Sequence, residues 1–182
     1  MIVLGIDPGL TRCGYAVLDA QGNRTVTALA MGVIRTSPST PLPQRLAELK
    51  AELVSLLVQY RPDAVAVEQV FFQTNVRTAM ATGQASGLAL AEAATAGCRV
   101  AQYTPHQVKG AVAGWGGADK AQVQKMVQAR LGLASVPEPP DAADAAALAL
   151  CHLAMAPVSD RVAQQVRTDR ARVGHTVIGG TR

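Results

Sequence analysis

Four carboxylates, Asp7, Glu68, Asp141 and Asp144, stand at positions where an acidic side chain needs a reason. Asp7 ends an apolar, β-branched run and is followed at once by Pro8-Gly9, so it sits at the end of a strand, at a sheet edge beside a tight turn. Glu68 follows the stretch Ala64-Val65-Ala66-Val67. A charge closing a buried apolar strand requires solvent, a partner or a metal ion. Asp141 and Asp144 are three apart where an Ala-rich helix begins, on one face of a first turn whose free amide groups favour negative charge. Oxygen ligands with no need for histidine or cysteine suit Mg²⁺, and two such ions about 4 Å apart activate water and stabilise charge on a phosphodiester during hydrolysis. Each acid also has a plainer explanation. Asp7 fits an Asx turn, Glu68 a strand end emerging into water, and the last pair a helix cap after Pro139-Pro140.

The elements that must position these residues follow from periodicity and turn chemistry. Residues 1–6 and 14–18 read as strands, and Thr25 to Arg35 as a third, joined to the second through the turn-like Ala20-Gln21-Gly22-Asn23. This predicts an antiparallel meander. The segment Ser37 to Pro43 is a loop, after which Leu42, Leu46, Leu49, Leu53, Leu56 and Leu57 recur at helical spacing and predict a helix over Pro43 to Tyr60. Ala64 to Val67 is a short buried strand, which beside the first strand brings Glu68 close to Asp7. A small-residue helix from about Asn75 to Ala96 leads to a strand at Arg99 to Tyr103. Helices follow near Pro105 to Val112 and Lys120 to Leu131, separated by Gly114-Trp115-Gly116-Gly117, and a final helix runs from Asp141 to Ala156, where Pro157 blocks it. The order predicts an α/β fold of RNase H-like form: a mixed five-stranded sheet flanked by helices on both faces.

Composition sets outer bounds. The 182 residues, 49% of them hydrophobic, suffice for one domain, expected over residues 1–156, with residues 157–182 as a basic, flexible extension. That extension carries five arginines against two aspartates, which leaves the first 156 residues at +1 out of the total of +4. With the four acids neutralised by cations, however, the same 156 residues carry +5, a surface suited to a polyanion. No basic region precedes the apolar N-terminal run and no apolar stretch reaches the roughly twenty residues of a membrane span, so the expected location is the cytoplasm. Cys13, Cys98 and Cys151 are odd in number and far apart, which argues for reduced thiols and against a zinc site.

Taken in order, the segments GIDPGLTRCGYAV, VAVEQVFF, HQVK, ADKAQVQKMV and PPDAADAAALAL resemble the RuvC family of Holliday junction resolvases over about residues 2 to 156. The resemblance implies that Asp7, Glu68, Asp141 and Asp144 are the catalytic, metal-binding acids of a homodimer. It implies two Mg²⁺ per subunit, with Mn²⁺ as a substitute, and paired nicks in opposed strands of a four-way DNA junction. It also implies DNA contacts at Lys109 and Lys120, base stacking at Phe71 and cooperation with a branch-migration complex of RuvA and RuvB. Physically, the two lysines offer point charges to phosphates, whereas Lys125 and Arg130 further along the same helix read as a solvated face. Phe71 and Phe72 are the only phenylalanines and lie in a stretch without period, where a ring either stacks on a base or packs inward.

Small residues in the second helix, including Gly83, Ala85, Gly87 and Ala89, permit close approach of another helix across a twofold axis, or tight packing on the helix's own sheet. Trp115 has no role in this reading. Three rival functions share some of these features: an actin-like or sugar-kinase phosphate-binding domain, a non-catalytic junction-binding module, and an RNase H-type enzyme acting on RNA–DNA hybrids. The first requires a second phosphate loop and a longer, two-lobed chain, and the sequence has neither.

Overall fold

The computed structural model describes residues 1–21, 25–70 and 76–156, apart from the side chain of Arg77; the expected extension at 157–182 lies outside the described residues. The elements run β1 (Ile2–Asp7), β2 (Arg12–Gln21), β3 (Thr25–Arg35), α1 (Leu42–Tyr60), β4 (Ala64–Glu68), α2 (Val76–Thr95), β5 (Arg99–Tyr103), α3 (Pro105–Ala113) and α4 (Lys120–Leu131). A last helix, α5, covers residues 140–156. The five strands form one sheet in the order β3-β2-β1-β4-β5. The first three are antiparallel neighbours, while β4 and β5 add in parallel on the other side of β1. This is the mixed RNase H-like sheet that the element order predicts. β1 is therefore the central strand, and Asp7 lies at its C-terminal end rather than on an edge strand.

Strand alternation divides the interior into two cores. On one face Leu4, Ile6, Val17, Val65 and Val67 meet α1 and α2 through Leu49, Leu53, Ala85 and Ala89. On the other, Val3, Ala16, Leu18 and Ala66 meet α3, α4 and α5. The second face is unusually close. A Cβ at Gly5 would stand 2.0 Å from the Ala145 carbonyl oxygen, and one at Gly14 would stand 2.1 Å from that of Asp141. Glycines on the strands and buried alanines at 142, 143, 145, 146, 147 and 149 together let the α5 backbone rest on the backbone of β1 and β2. Overlap at either glycine would push α5, and with it two of the four acids, off the sheet.

Two expectations change in detail. β2 extends from Arg12 to Gln21, well past the expected 14–18, because the longer β3 pairs with it along its whole length while β1 pairs only with Gly14 to Asp19, so Ala20 and Gln21 are strand rather than turn. The small residues of α2 serve its own sheet first: Ala85, Ala89 and Ala93 are buried in the core, whereas Gly83 and Gly87 face open space. All three cysteines are free.

Candidate active site

Period-two alternation decides where Asp7 and Glu68 point. Asp7 shares the face of Val3 and Gly5, Glu68 the face of Ala64 and Ala66, and that is the α5 side of the sheet. The parallel pairing of β1 with β4 runs through Ile6 and Val67, so the two acids follow as the next residues on adjacent strands. The two carboxyl groups stand close enough for each to perturb the titration of the other. On the other flank Asp7 is the register partner of Gly14, whose Cα faces Asp141.

Asp7, Glu68 and Asp144 line one cleft of about 280 Å³ together with Lys109 and Lys120, over an apolar floor that includes Val108, Val123 and Leu148. Local structure fixes the lysines. Thr104 caps α3 through a reciprocal pair of hydrogen bonds with Gln107, and Asp119 caps α4 in the same way with Gln122. Lys120 is thereby the first residue of α4, an end where the helix dipole disfavours a cation. It is held there by Asp144, whose oxygen lies 2.7 Å from Nζ. This hydrogen bond raises the Lys120 pKa further.

Asp141 does not line the cleft. Its Oδ2 accepts hydrogen bonds from Arg12 at Nε (3.2 Å) and Nη2 (2.5 Å), and the guanidinium holds this carboxyl below the usual carboxylate range. Arg12 was not among the residues singled out from sequence. It shares a β2 face with Gly14, Ala16 and Leu18, and a strand prediction that reached position 12 would have put it on the α5 side with the acids. Lys109 and Lys120 stand in the cleft as the motif positions imply. Phe71 and Phe72 lie outside the described residues.

The electrostatics of the cleft are lopsided. Burial first, then the charges of Glu68 and Asp144, push Asp7 up to about 8, and burial likewise raises Glu68. Two half-buried carboxyl groups this close together are a costly arrangement unless a cation neutralises them. Among the described residues, no three His, Cys, Asp or Glu side chains are grouped closely enough to enclose an ion as they stand, since Asp141 and Asp144 are turned to Arg12 and Lys120. The donor set nevertheless fits a hard divalent cation. It consists of carboxylate oxygens only, one pair is short of positive charge, and the other two acids stand next to it, each in an ion pair.

The sequence profile of the family described as "Crossover junction endodeoxyribonuclease RuvC" matches residues 3–152. A protein of that name from Rhodococcus jostii is 48% identical over 100% of both chains, and one from Salinispora arenicola is 52% identical over 96% of this chain and 98% of its own. The solved structure "T. thermophilus RuvC in complex with Holliday junction substrate" superposes with a TM-score of 0.83 at 41% identity, covering 87% of this chain and 96% of that one. No helix among the described residues is long and apolar enough to cross a membrane. Matched over most of its length by the family profile and over its whole length by a relative at 48% identity, the chain belongs to the RuvC family of crossover junction endodeoxyribonucleases.

Proposed function

We propose that this protein resolves four-way DNA junctions by hydrolysing one phosphodiester in each of two opposed strands. It is a divalent-metal-dependent nuclease, as its family membership implies. We assign the ions to Asp7, Glu68, Asp141 and Asp144, with two Mg²⁺ per subunit and Mn²⁺ as a substitute. The observation that carries this reading is the Asp7–Glu68 pair, half-buried in a cleft that Lys109 and Lys120 also line. When bound, divalent cations lower the cost of ionising water and of the negative charge that builds on the reacting phosphate. The chain's own residues do the rest. Arg12 and Lys120 pair with Asp141 and Asp144 and fix the direction in which they point from α5. Lys109 and Lys120 orient the strand through its phosphates so that water adds to phosphorus opposite the 3′ oxygen; the P–O3′ bond breaks, the leaving 3′ oxygen takes up a proton, and the nick carries a 5′ phosphate and a free 3′ hydroxyl. Phe71, three residues beyond Glu68, is assigned a stacking role from its place in the sequence.

Two symmetric cuts require two sites, so the working form is a homodimer. Support comes from the outer face of α2, where Met80 is 62% exposed and the open space over Gly83 and Gly87 allows a second helix to approach. The resolvase unit is residues 1–156, it works in the cytoplasm, and a branch-migration complex of RuvA and RuvB delivers the junction to it. The deciding assay is strand cleavage in Mg²⁺ on a four-way junction, a plain duplex and an RNA–DNA hybrid of matched sequence. The junction alone should receive paired, ligatable nicks; equal cutting of all three would contradict the assignment.

A further inference from the structure

Trp115 is the only tryptophan in the chain, and it is 57% exposed. A large aromatic ring left open to water on a cationic, DNA-cutting domain calls for a use. Its loop is built to hold it out. Gly114 ends α3 in a left-handed conformation (φ 88°), a cap that turns the chain away from the helix axis. Ala118 is fully buried and donates its backbone N–H to the Trp115 carbonyl, pinning the far side of the loop. Gly117 lies under the indole, where an added Cβ would come within 2.1 Å of the ring. Gly116 lies against the ring of His106, again with 2.1 Å for an added Cβ.

The His106 contact locates the loop. His106 lies in the first turn of α3 and follows Pro105, which lines the cleft, so the loop folds back onto that turn instead of trailing away from it. Trp115 falls between Lys109 and Lys120 in the chain, and both lysines line that cleft. An exposed ring interleaved with cations is the arrangement by which proteins stack on bases while holding the adjoining phosphates.

Resting on the junction-resolving function above, we propose that Trp115 is a second stacking platform, which takes up an unpaired or frayed nucleobase of the junction at the rim of the cleft. The ring contributes to junction affinity and to placing the strand. It takes no part in hydrolysis.

A single tryptophan makes the test direct, because its emission reports on this loop alone. Full-length protein is titrated with a fluorescein-labelled four-way junction in Ca²⁺ in place of Mg²⁺, with anisotropy read from the DNA and tryptophan emission read from the protein. Emission should be quenched, and acrylamide access to the indole should fall, along the same curve as the anisotropy. Trp115→Ala should weaken junction binding about tenfold and Trp115→Phe by no more than about threefold, since the phenyl ring still stacks. Normal anisotropy with unchanged emission and acrylamide access would overturn the Trp115 assignment and leave the resolvase reading intact. Flat anisotropy would overturn both. Acrylamide protection that rises with protein concentration before DNA is added would instead place the ring in a contact between subunits and overturn the proposal.

Discussion

Asp7→Asn should bind a four-way junction with affinity within about threefold of the parent protein while its Mg²⁺-dependent cleavage falls roughly 10³-fold or more. The magnitude follows from what the side chain is assigned to do: a metal ion at a reacting phosphate is worth several kcal/mol of transition-state stabilisation, and each 1.36 kcal/mol is tenfold in rate. Asparagine keeps the shape and one oxygen but loses the charge that an ion between Asp7 and Glu68 would neutralise. Binding should survive because the groups assigned to the phosphate backbone, Lys109 and Lys120, are untouched, and because removing a negative charge from the cleft does not repel DNA. Gel shift in Ca²⁺ and single-turnover cleavage in Mg²⁺, run on the same preparation, separate the two properties. Cleavage within tenfold of the parent would remove Asp7 from the metal site.

The same buried pair should make the metal-free protein less stable as the pH rises. In the folded state Asp7 is raised to about 8 from an ordinary value of 3.8, and Glu68 is raised in the same direction. Over that interval the folded chain holds a proton that the unfolded chain has released. The stabilisation is therefore complete below pH 3.8 and is lost as the pH passes through about 8. Its loss amounts to a few kcal/mol, and at roughly 2–4 °C of Tm per kcal/mol for a chain of this size the melting temperature in EDTA should drop by about 5 °C or more between pH 5 and pH 8. Because the proposed Mg²⁺ site is the ionised pair, Mg²⁺ should restore most of the loss at pH 8 and little at pH 5. Asp7→Asn supplies the control, since its melting temperature should depend far less on pH and on Mg²⁺. Thermal unfolding of both proteins across this range, with and without Mg²⁺, reads the effect. Parallel pH profiles would show that Asp7 carries no such proton.

The parts of this architecture that were legible in the sequence are those governed by local pattern. The apolar runs of β1 and of Ala64–Val67 and the leucine spacing of α1 are properties of short windows. What those windows do not contain is the length of a strand when its partners set it. β2 gains residues at both ends because β3 pairs with it there, and the same extension brings Arg12 into the site. Asp141 and Asp144 illustrate a second limit. Their spacing of three was read as a shared face, yet three residues of helix leave two side chains roughly 60° apart. On α5 that angle sends Asp144 to Lys120 in the cleft and Asp141 to Arg12 on β2. The cleft positions of Lys109 and Lys120 followed from resemblance to a family, because the caps that aim them, Thr104 and Asp119, carry no information about what lies opposite.

The central claim is that these four acids convene around divalent cations, and anomalous diffraction from crystals soaked in Mn²⁺ tests it most directly, since Mn²⁺ takes the oxygen ligands that Mg²⁺ takes. The account predicts anomalous peaks with carboxylate oxygens of Asp7 and Glu68 as ligands at about 2.1 Å, with Asp141 and Asp144 released from Arg12 and Lys120 to join them. Mn²⁺ bound elsewhere, with Asp141 and Asp144 still paired to their cations in protein that cleaves junctions, would contradict it.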